Sequence, residues 1–473
     1  MANYVSTRDA SQVVDSASAV LGLPTDGGLY VPAELPKLNY ADLLELSYAA
    51  RVDRVLRAFF DFDVGGIADK AFNGLDDPAP TVKIDDNAFF LELWHGRTCS
   101  SKDMALSVLP MLIERAKAAK GVDGDTLIIA PSGDVGVAAA KAFEYAQGNG
   151  VRLCVFYPHG ETSDLVRREL NSLQSENAAI VGVSASADKV RAEVNACYQD
   201  SGLTAALGEN NNTLVPTDGL NIGVIVSQIA YFFSAYCDLV NSDEIKPGAK
   251  IDFVLHMDDF GGVIAGYYAY RMGLPINKLV SVDTRPEFTD FIDSGVFDIT
   301  AAPGTHLSDI ERLIFDLSGN DAAITAFRMK SLGDGGRFSV TEGEVNVLHG
   351  IFAGDVAETE DAQNATDYMF EEYGYLVDAH TAYACASALD REFVRPTVML
   401  SVADPYRTAE EVMTALGEKL PSDEDRFDNM EMLTACEPSE WLKSVLTKNP
   451  HDAPPITTSD IISYLLEQAK NKT

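Results

Sequence analysis

The chain has 473 residues, more than one compact core usually holds, and 46% of them are hydrophobic, so two or three domains are expected. Lysine and arginine number 36 against 72 acidic residues, and the resulting net charge of −36 repels nucleic acid and anionic lipid. DNA, RNA and membrane surfaces are therefore excluded as expected partners. The net charge alone does not show whether the acidic composition serves solubility or reflects a salty or acidic habitat.

The six cysteines are widely separated and form neither a C-x-x-C pair nor a cluster with histidine at metal-ligand spacing. We interpret them as reduced thiols and expect no metal site. The first residues, MANYVSTRDASQVV, lack the basic start and apolar core of a signal peptide. No run approaches the roughly 18 apolar residues of a membrane helix. A cytoplasmic protein is predicted.

Residues 1–85 contain a glycine- and proline-rich turn, LGLPTDGGLYVP, and helical patterns around 41–60; they are predicted to form an N-terminal cap domain. From NAFFLELWHG onward, apolar runs alternate with segments of helical period: TLIIAP precedes VGVAAAKAFEYA, VRLCVFYP precedes SDLVRRELNSL, and AIVGVS precedes ADKVRAEVNACY. Such alternation indicates βαβ units around a parallel sheet. A second series runs through IDFVLHM, GGVIAGYYAYRMG and KLVSVD, with TVMLSV as a late strand.

Two α/β lobes fit these two series better than one. We predict a large α/β domain from residues 86–124 and 215–420, and a small α/β domain from residues 125–214. Residues 421–473 are predicted to be a solvated acidic excursion, PSDEDRFDNMEM, followed by a helical tail. The predicted fold class is α/β, with two parallel-sheet lobes and an N-terminal cap.

The stretch ELWHGRTCSSKDMALSVLPML places Lys102 after a Thr-Cys-Ser-Ser turn. Ser100 or Ser101 is predicted to cap a helix whose first turn holds Lys102 and Asp103, at the positive end of a helix dipole. That position lowers an amine's pKa and attracts anions, both useful for a Schiff-base lysine. Pro110 is expected to kink or end the helix. A lysine in a first helical turn is usually a surface residue, so the spacing alone leaves both interpretations open.

Two turns between a strand and a helix are candidate anion sites. Ser132-Gly133-Asp134 follows TLIIAP and opens a helix, where backbone N–H groups bind a carboxylate or phosphate. The turn lacks the G-x-G-x-x-G pattern of dinucleotide sites, and a plain helix cap explains it equally well. The second turn, HMDDFGGVIAG, is by itself a glycine cluster more typical of packing than of a ligand loop.

Taken in order, several segments resemble the threonine synthases, pyridoxal-phosphate enzymes of the tryptophan-synthase-β-like fold (fold type II). The resemblance spans about residues 4–405 and is carried by YVSTRDA, LGLPTDGGLYVP, ELWHGRTCSSKDMAL, APSGDVGVAA, VFYPHGETS, SQIAYFFSAY, FGGVIAGYYAYRMGLPI, SDIERLIFDLSG and LVDAHTAYA. It implies pyridoxal 5′-phosphate as cofactor and conversion of O-phosphohomoserine and water into threonine and phosphate. It also implies a small amino-acid substrate as partner and a monomer or homodimer.

The family's lysine motif reads roughly H-G-P/A-T-x-A-F-K-D, and Lys102 occupies its lysine position. The resemblance implies that Lys102 carries the cofactor and later moves protons at Cα and Cβ of the substrate. Thr381, in DAHTAYA, matches the position that faces the pyridine nitrogen with a neutral hydroxyl, which favours elimination. The implied cofactor-binding residues are Lys102, Asp134, Asp258, Asp259, Phe260, Gly261, Gly262 and Thr381. The implied substrate-binding residues are Arg97, Thr98, Ser132, Gly133, Val135, Asp218 and Asn221.

The chain departs from the family pattern at these ligand positions. The phosphate cradle P-T-G-N-F-G-N reads H-M-D-D-F-G-G at residues 256–262, and two inward carboxylates about 4 Å from a phosphate would cost several kcal/mol. S-G-D-T-G reads S-G-D-V-G, and N-S-I-N-W-G-R reads D-G-L-N-I-G-V at residues 218–224. Side chains suited to hold a carboxylate and a phosphate are thereby lost. Arg97, at the Pro/Ala position, would return one positive charge if it faces the site.

Two hypotheses follow. The first is a lyase of this family that acts on O-phosphohomoserine or on a changed amino-acid substrate. The second is a catalytically impaired paralogue that serves as a binding or scaffold protein, since fold and function are separable. Binding of pyridoxal phosphate to Lys102 distinguishes the first from the second.

Overall fold

The structure is a computed structural model and describes residues 3–122, 126–131, 133–144, 150–209, 212–257, 260–300, 309–418, 426–448 and 453–470. For residues 126–131 it describes the backbone. The fold is mixed α/β with two parallel-rich sheets, so the predicted fold class is confirmed.

The N-terminal region forms a three-stranded antiparallel sheet with helices packed beside it. Its elements are β1 Asn3–Ser6, β2 Val13–Asp15, α1 Ser16–Val20, β3 Tyr30–Pro32, a 3₁₀ helix Tyr40–Asp42, α2 Tyr48–Phe59 and α3 Ile67–Ala71, with the sheet order β2-β1-β3. In α2, the buried residues Val52, Leu56 and Phe59 recur at spacings of four and three, so they form one apolar face. Ser47 caps this helix by accepting the N–H of Ala50 at 3.4 Å.

The middle of the chain alternates strands and helices. In chain order these are β4 Thr81–Asp85, β5 Ala88–Glu92, α4 Asp103–Leu106, α5 Leu109–Lys120, β6 Thr126–Pro131, α6 Asp134–Phe143, β7 Val151–Pro158, α7 Asp164–Ser172, β8 Ala178–Val183, α8 Ala187–Gln199, α9 Ser201–Gly208, β9 Thr213–Pro216 and α10 Ile222–Asn241. The predicted alternation of strand and helix is confirmed in this region.

The second series contains more helix. Its elements are β10 Ile251–His256, α11 Phe260–Met272, β11 Ile276–Asp283, α12 Glu287–Ser294, β12 Val296–Asp298, α13 Ile310–Leu317, α14 Ala322–Gly335, β13 Arg337–Ser339, α15 Glu342–Ile351, β14 Phe352–Val356, α16 Thr359–Tyr373, α17 Ala379–Asp390, β15 Thr397–Ser401, a 3₁₀ helix Pro405–Thr408, α18 Ala409–Ala415, α19 Arg426–Thr434, α20 Glu440–Leu446, a 3₁₀ helix Thr458–Asp460 and α21 Ile461–Lys470.

The larger sheet has the order β14-β11-β10-β15-β5-β4 and is parallel except that β4 runs antiparallel to β5. The smaller sheet has the order β8-β7-β6-β9, and its pairs are parallel. Every residue of β5 and β7 is buried, because helices cover both faces of a parallel sheet. We call the larger sheet with its helices the large lobe, and the smaller sheet with its helices the small lobe. The predicted domain boundaries stay a proposal.

Helix α10 lies in the centre of the core and packs against α2, α4 and α11. Among the described residues it alone is long and apolar enough to cross a membrane, and 94% of its apolar window is buried, as in any core helix. Gly266 lets α11 approach α10 closely, because a Cβ there would lie 2.9 Å from the ring of Phe232. The apolar faces of α10 thus join the large lobe to the N-terminal region.

The C-terminal region is packed onto both lobes. Residues 426–432, predicted as part of a solvated excursion, lie in α19, where Phe427 and Met430 are buried in one cluster with Tyr406. Two apolar side chains at a spacing of three fix this helix, while its acidic Asp428 is exposed. In α21, Leu465 is buried against helices of the small lobe.

Candidate active site

The carboxyl ends of β5, β10 and β15 meet at one edge of the larger sheet, because these strands are parallel neighbours. In open α/β sheets, ligands bind in the crevice beyond the carboxyl ends of the strands. Residues 96–102, which we call the lysine loop, follow β5 closely. The first turn of α11 follows β10, and the 3₁₀ helix Pro405–Thr408 follows β15. Predicted site residues from distant parts of the sequence therefore converge at this edge.

Backbone hydrogen bonds fix the lysine loop to the segment after β15. Ser101 donates its N–H to the carbonyl of Val402 at 2.7 Å, and the carbonyl of Cys99 accepts the N–H of Asp404 at 3.0 Å. Cys99 adopts φ = 59°, in the left-handed region that strains residues with a side chain. Burial raises the pKa of its thiol to about 12, which disfavours the thiolate form that acts as a nucleophile. Such a strained and tightly held loop is typical of functional sites.

Asp103 holds the lysine loop from inside the protein. Its carboxylate accepts the N–H of Thr98 at 2.7 Å and the hydroxyl of Thr98 at 2.9 Å. Gly96 makes room for it, because a Cβ at residue 96 would lie 2.4 Å from the Cβ of Asp103. Thr98, predicted to bind substrate, therefore has both its N–H and its hydroxyl bound within the protein.

Burial also gives Asp103 a pH-dependent effect on stability. Its pKa is raised from 3.8 to about 6, so between these values the folded state holds a proton that the unfolded state has released. The contribution of Asp103 to the free energy of unfolding is then largest below the unfolded pKa and falls by up to about 3 kcal/mol as pH rises through the folded pKa. We expect urea unfolding to show the wild type losing stability relative to Asp103→Asn from pH 3.8 to pH 6. A stability difference that stays constant over this range would contradict the prediction.

Lys102 is half-buried and is itself the N-cap residue of α4. The prediction that Ser100 or Ser101 caps this helix is wrong: no side chain caps α4, and Ser100 Oγ accepts the N–H of Lys102 at 3.4 Å. The predicted break at Pro110 is confirmed, because α4 has 4 residues and Pro110 stands in the first turn of α5. So short a helix carries little dipole, and the dipole effect expected on Lys102 is not supported.

Asp134, the first residue of α6, lies among the charges around Lys102. Burial alone would raise the pKa of Asp134, but the Arg407 guanidinium outweighs burial, with smaller contributions from His380 and Lys102, and holds this pKa below its ordinary value. Ser100 Oγ lies 3.4 Å from the same carboxylate. The lysine loop, α6 and α17 thus contribute to one charged cluster.

The turn that precedes Asp134 needs its glycine. Gly133 has φ = 84° and ψ = −156°, a conformation that residues with a Cβ avoid, and it lets the chain turn from β6 directly into α6. Val135 is half-buried and packs against the main core cluster. Ser132, predicted to bind substrate, lies outside the described residues.

Arg407 is a site residue that the sequence patterns did not reveal. Its side chain is 2% exposed, and it donates from Nη2 to Asp134 at 2.5 Å and from Nη1 to the carbonyl of Thr98 at 2.7 Å. It also forms a bidentate pair with the fully buried Glu169 at 2.8 and 2.9 Å, and Trp441 donates its indole N–H to Glu169 at 2.8 Å. A buried glutamate within the apolar face of α7 was the one local signal for this network.

The first turn of α11 lies at the same edge of the larger sheet, directly after β10. Phe260 is buried edge-on against Phe288, which anchors the start of the helix. A Cβ at Gly262 would meet Leu255 and the hydroxyl of Tyr231 at 3.6 Å, an ordinary contact, so packing does not demand glycine there. Gly261 belongs to the same turn. Asp258 and Asp259, predicted to touch the cofactor, lie outside the described residues.

Three rings join the end of β10 to α17. His256 stacks on Tyr383 with 4.8 Å between the ring centroids and on His380 with 5.6 Å. This stack brings two histidines to the same edge of the sheet as Lys102. In the part of the chain that the structure describes, no group of three or more His, Cys, Asp or Glu is arranged to hold a metal ion.

Thr381 lies in the first turn of α17 and is completely buried. Its hydroxyl donates to Asp378, the N-cap residue, and accepts the N–H of Val402 at 3.0 Å. Asp378 also accepts the N–H of His380 at 2.9 Å and that of Ala403 at 3.3 Å. The hydroxyl predicted to face a pyridine nitrogen is therefore bound within the protein.

Asn221 and Asp218, both predicted to bind substrate, make bonds that shape the start of α10. The buried Asn221 donates its amide to the carbonyls of Val20 and Pro216 at 3.1 and 3.3 Å, and its oxygen caps α10. Asp218 accepts the N–H of Leu220 at 3.1 Å. These bonds show a structural role for both side chains.

Arg97 reaches the N-terminal region. Its Nη2 donates to the carbonyl of Asn73 at 2.8 Å, and the side chain lines a cavity of about 340 Å³ together with Lys70, Ser107 and Met111. The direction of this side chain was open from the sequence. The structure places its guanidinium at the boundary between the lysine loop and the N-terminal region.

Fold and site together define a class of protein: a two-lobed α/β fold with a parallel-rich sheet in each lobe and a lysine loop at the carboxyl-end edge of the larger sheet. Known proteins share both the sequence and the fold. Residues 3–71 match the family model described as threonine synthase N terminus. Threonine synthase of Pseudomonas aeruginosa is 28% identical over 437 residues, covering 87% of this chain and 90% of that protein. Human threonine synthase-like 1 is 28% identical and covers 87% of this chain and 60% of its own length.

Solved structures agree along the whole chain. A threonine synthase from Brucella melitensis, solved with pyridoxal phosphate bound, has a TM-score of 0.83 at 25% identity and covers 100% of both chains. Yeast threonine synthase shares the fold, with a TM-score of 0.82 at 23% identity over 99% of this chain and 98% of that one. Together these similarities support a diverged member of the threonine synthase family.

Proposed function

We propose that the protein is a pyridoxal 5′-phosphate-dependent carbon–oxygen lyase of the threonine synthase type, which acts on O-phosphohomoserine or on a changed amino-acid substrate. The observation that carries the proposal is the setting of Lys102. It lies in a strained loop at the edge of the larger sheet, and its charge acts on Asp134 together with that of His380. The chain around it matches, over its full length, a threonine synthase solved with pyridoxal phosphate.

The described residues fit this cofactor on two sides. Lys102 supplies the amine that would hold it covalently. The first turn of α11, a helix of 13 residues, supplies backbone N–H groups and a positive dipole end for its phosphate. Gly262 supports this assignment, because the turn carries a glycine that packing does not require and that leaves the backbone open to close approach. Pyridoxal phosphate, when bound, withdraws electrons from the substrate's Cα and makes its proton removable.

Other residues near the lysine loop support proton transfer by Lys102. Once its amine is free, Lys102 takes and returns protons at Cα and Cβ of the substrate. Asp134 supplies a negative charge beside that amine, and Asp103 holds the loop through Thr98. We keep Thr381 as the hydroxyl for the cofactor ring, but it would reach the ring only by exchanging its bond to Asp378.

Substrate recognition is the part in which this chain departs from its family. At the family's polar positions it carries Val135, Gly219 and Val224. Gly219 has no room for a side chain, because a Cβ there would lie 1.9 Å from an oxygen of Asp309, and Val224 is buried. These positions cannot hold an anion. We therefore propose that the substrate's carboxylate and leaving group are bound by other groups than those of the family pattern.

The alternative is a binding or scaffold protein on the same fold. The observation that favours it is the loss of polar groups at these positions, together with Asp258 and Asp259 in the turn that the resemblance assigns to the phosphate. Two further candidates for ligand contacts, Asn221 and Thr98, have their polar side chains bound within the protein.

Titration with pyridoxal phosphate followed by an assay of phosphate release from O-phosphohomoserine tests the proposal. We expect a yellow cofactor band that saturates and phosphate release that scales with enzyme concentration. A band without phosphate release at high enzyme concentration supports a changed substrate. Protein that stays colourless at saturating cofactor contradicts the lyase and supports the scaffold.

A further inference from the structure

Arg407 uses its terminal N–H groups within the protein. A guanidinium carries two N–H on each terminal nitrogen. Nη1 donates to Thr98 and Glu169, and Nη2 donates to Asp134 and Glu169, so each of these N–H groups has a partner. Four of its five N–H groups therefore bind groups of the protein, and the fifth, the buried Nε–H, has no hydrogen-bond partner in the part of the chain that the structure describes. The main role of Arg407 is thus to hold protein groups that lie beside the residues assigned to the site.

The contacts of Arg407 join elements that are distant in the sequence. Thr98 belongs to the lysine loop of the large lobe, whereas Asp134 and Glu169 belong to α6 and α7 of the small lobe. Glu169 also accepts from Trp441 of α20, and the thiol of Cys99 donates to Ser439, which caps α20. One buried guanidinium thus ties both lobes and the C-terminal region together at the lysine loop.

The burial of this network makes its charges interdependent. The side chains of Arg407 and Glu169 are 2% and 0% exposed, so one cation is enclosed with one carboxylate, whereas the Asp134 side chain is 32% exposed. A buried charge that loses its partner is strongly destabilised. Without Arg407, the carboxylates of Asp134 and Glu169 would repel each other, and α6 and α7 would lose the guanidinium that joins them to the lysine loop. The carboxylate of Asp134, on which the charge of Lys102 acts, would then lose its fixed position.

We propose that Arg407 is a positioning residue for Lys102: it holds the carbonyl of Thr98, in the lysine loop, and the carboxylate of Asp134, on which the charge of Lys102 acts, in fixed places. Thr98 is bound through its N–H and hydroxyl to Asp103, the neighbour of Lys102, so the carbonyl contact fixes the loop from its other side. The inference rests on the proposed function, because that function requires the Lys102 amine to be positioned for pyridoxal phosphate.

The experiment compares the full-length wild type with Arg407→Met, Arg407→Lys and Arg328→Met. Arg328 is the matched control, since it forms a buried bidentate pair with Glu344 at 2.7 Å between α14 and α15, which carry none of the site residues. For each protein, three properties are measured: urea stability, the affinity for pyridoxal phosphate with the pH at which the yellow band is half formed, and amide hydrogen exchange of residues 98–103. Glu169→Gln replaces Arg407→Met if that variant does not fold.

We expect Arg407→Met to bind pyridoxal phosphate roughly tenfold more weakly or worse, since the loop loses a charge-assisted anchor. Its band should form half-maximally about one pH unit higher, because an uncompensated Asp134 carboxylate raises the pKa of the Lys102 amine. Arg407→Lys keeps the charge and should restore the pH profile while remaining a few-fold weaker in affinity. Arg328→Met should lose stability and leave both the affinity and the pH profile at their wild-type values.

Wild-type affinity and pH profile in Arg407→Met would overturn the inference, as would equal changes in Arg328→Met. If the wild type itself forms no yellow band, the proposed function fails, and hydrogen exchange decides the positioning role alone. Faster exchange of residues 98–103 in Arg407→Met but not in Arg328→Met then supports it. Unchanged exchange in Arg407→Met contradicts it.

Discussion

Lys102→Ala is expected to abolish the yellow cofactor band and to lower phosphate release about a thousandfold or more, since both covalent capture and proton transfer are lost. The variant should fold normally, because the Lys102 side chain caps no helix and is only half-buried. Absorbance titration, phosphate release and urea unfolding of the same preparations check the three parts of this expectation.

Lys83→Ala is the control for this variant. Lys83 is 43% exposed and pairs with Glu244 at the surface, so its loss should change neither the band nor the rate. Lys102→Arg retains the positive charge and should nevertheless remain colourless, because a guanidinium does not replace the amine. A Lys102→Ala protein that binds the cofactor with wild-type affinity and colour would refute the role assigned to Lys102.

Gly96→Ala is expected to disrupt the site without touching Lys102. The new Cβ would lie 2.4 Å from both the Cβ and a carboxylate oxygen of Asp103, whose side chain is buried and has little room to move. Overpacking of this kind costs about 1–3 kcal/mol, and a displaced Asp103 releases the N–H and hydroxyl of Thr98. We therefore expect lower stability and weaker capture of pyridoxal phosphate together.

Gly350→Ala provides the comparison, because a Cβ there meets nothing within 4 Å and the residue lies inside α15. That variant should gain about 0.5–1 kcal/mol and bind the cofactor as the wild type does. If Gly96→Ala were as stable as the wild type and bound the cofactor equally well, Asp103 would not be holding the lysine loop.

The two lobes could be predicted from the sequence for two reasons. Strands that are buried on both faces, such as β7, appear in the sequence as continuous apolar runs, and the helices between them show apolar residues at helical spacing. The start of α4 was predicted wrongly for a physical reason. The loop before that helix is held by tertiary backbone bonds, Ser101 to Val402 and Asp404 to Cys99, rather than by a serine cap. The spacing of residues around Lys102 in the sequence does not indicate bonds to residues about 300 positions away.

The network around Arg407 shows the same limit at the site. Arg407 is 238 positions from Glu169 and 273 from Asp134, and Trp441 is 272 from Glu169. No motif joins residues so far apart, and apart from Glu169 within the apolar face of α7, each has the pattern of an ordinary helix or turn residue. The resemblance identified Lys102 through a local motif, but the direction of Arg97 and the bonds of Thr381 depend on neighbours that only the fold supplies.

Borohydride reduction of the wild type after incubation with pyridoxal phosphate, followed by peptide mass spectrometry, tests the role of Lys102 most directly. Reduction fixes the cofactor on whichever amine holds it. We expect one stoichiometric modification, on Lys102 within ELWHGRTCSSKDMALSVLPML. An unmodified Lys102, whether with no labelled peptide at all or with label scattered over other lysines, would contradict the assignment.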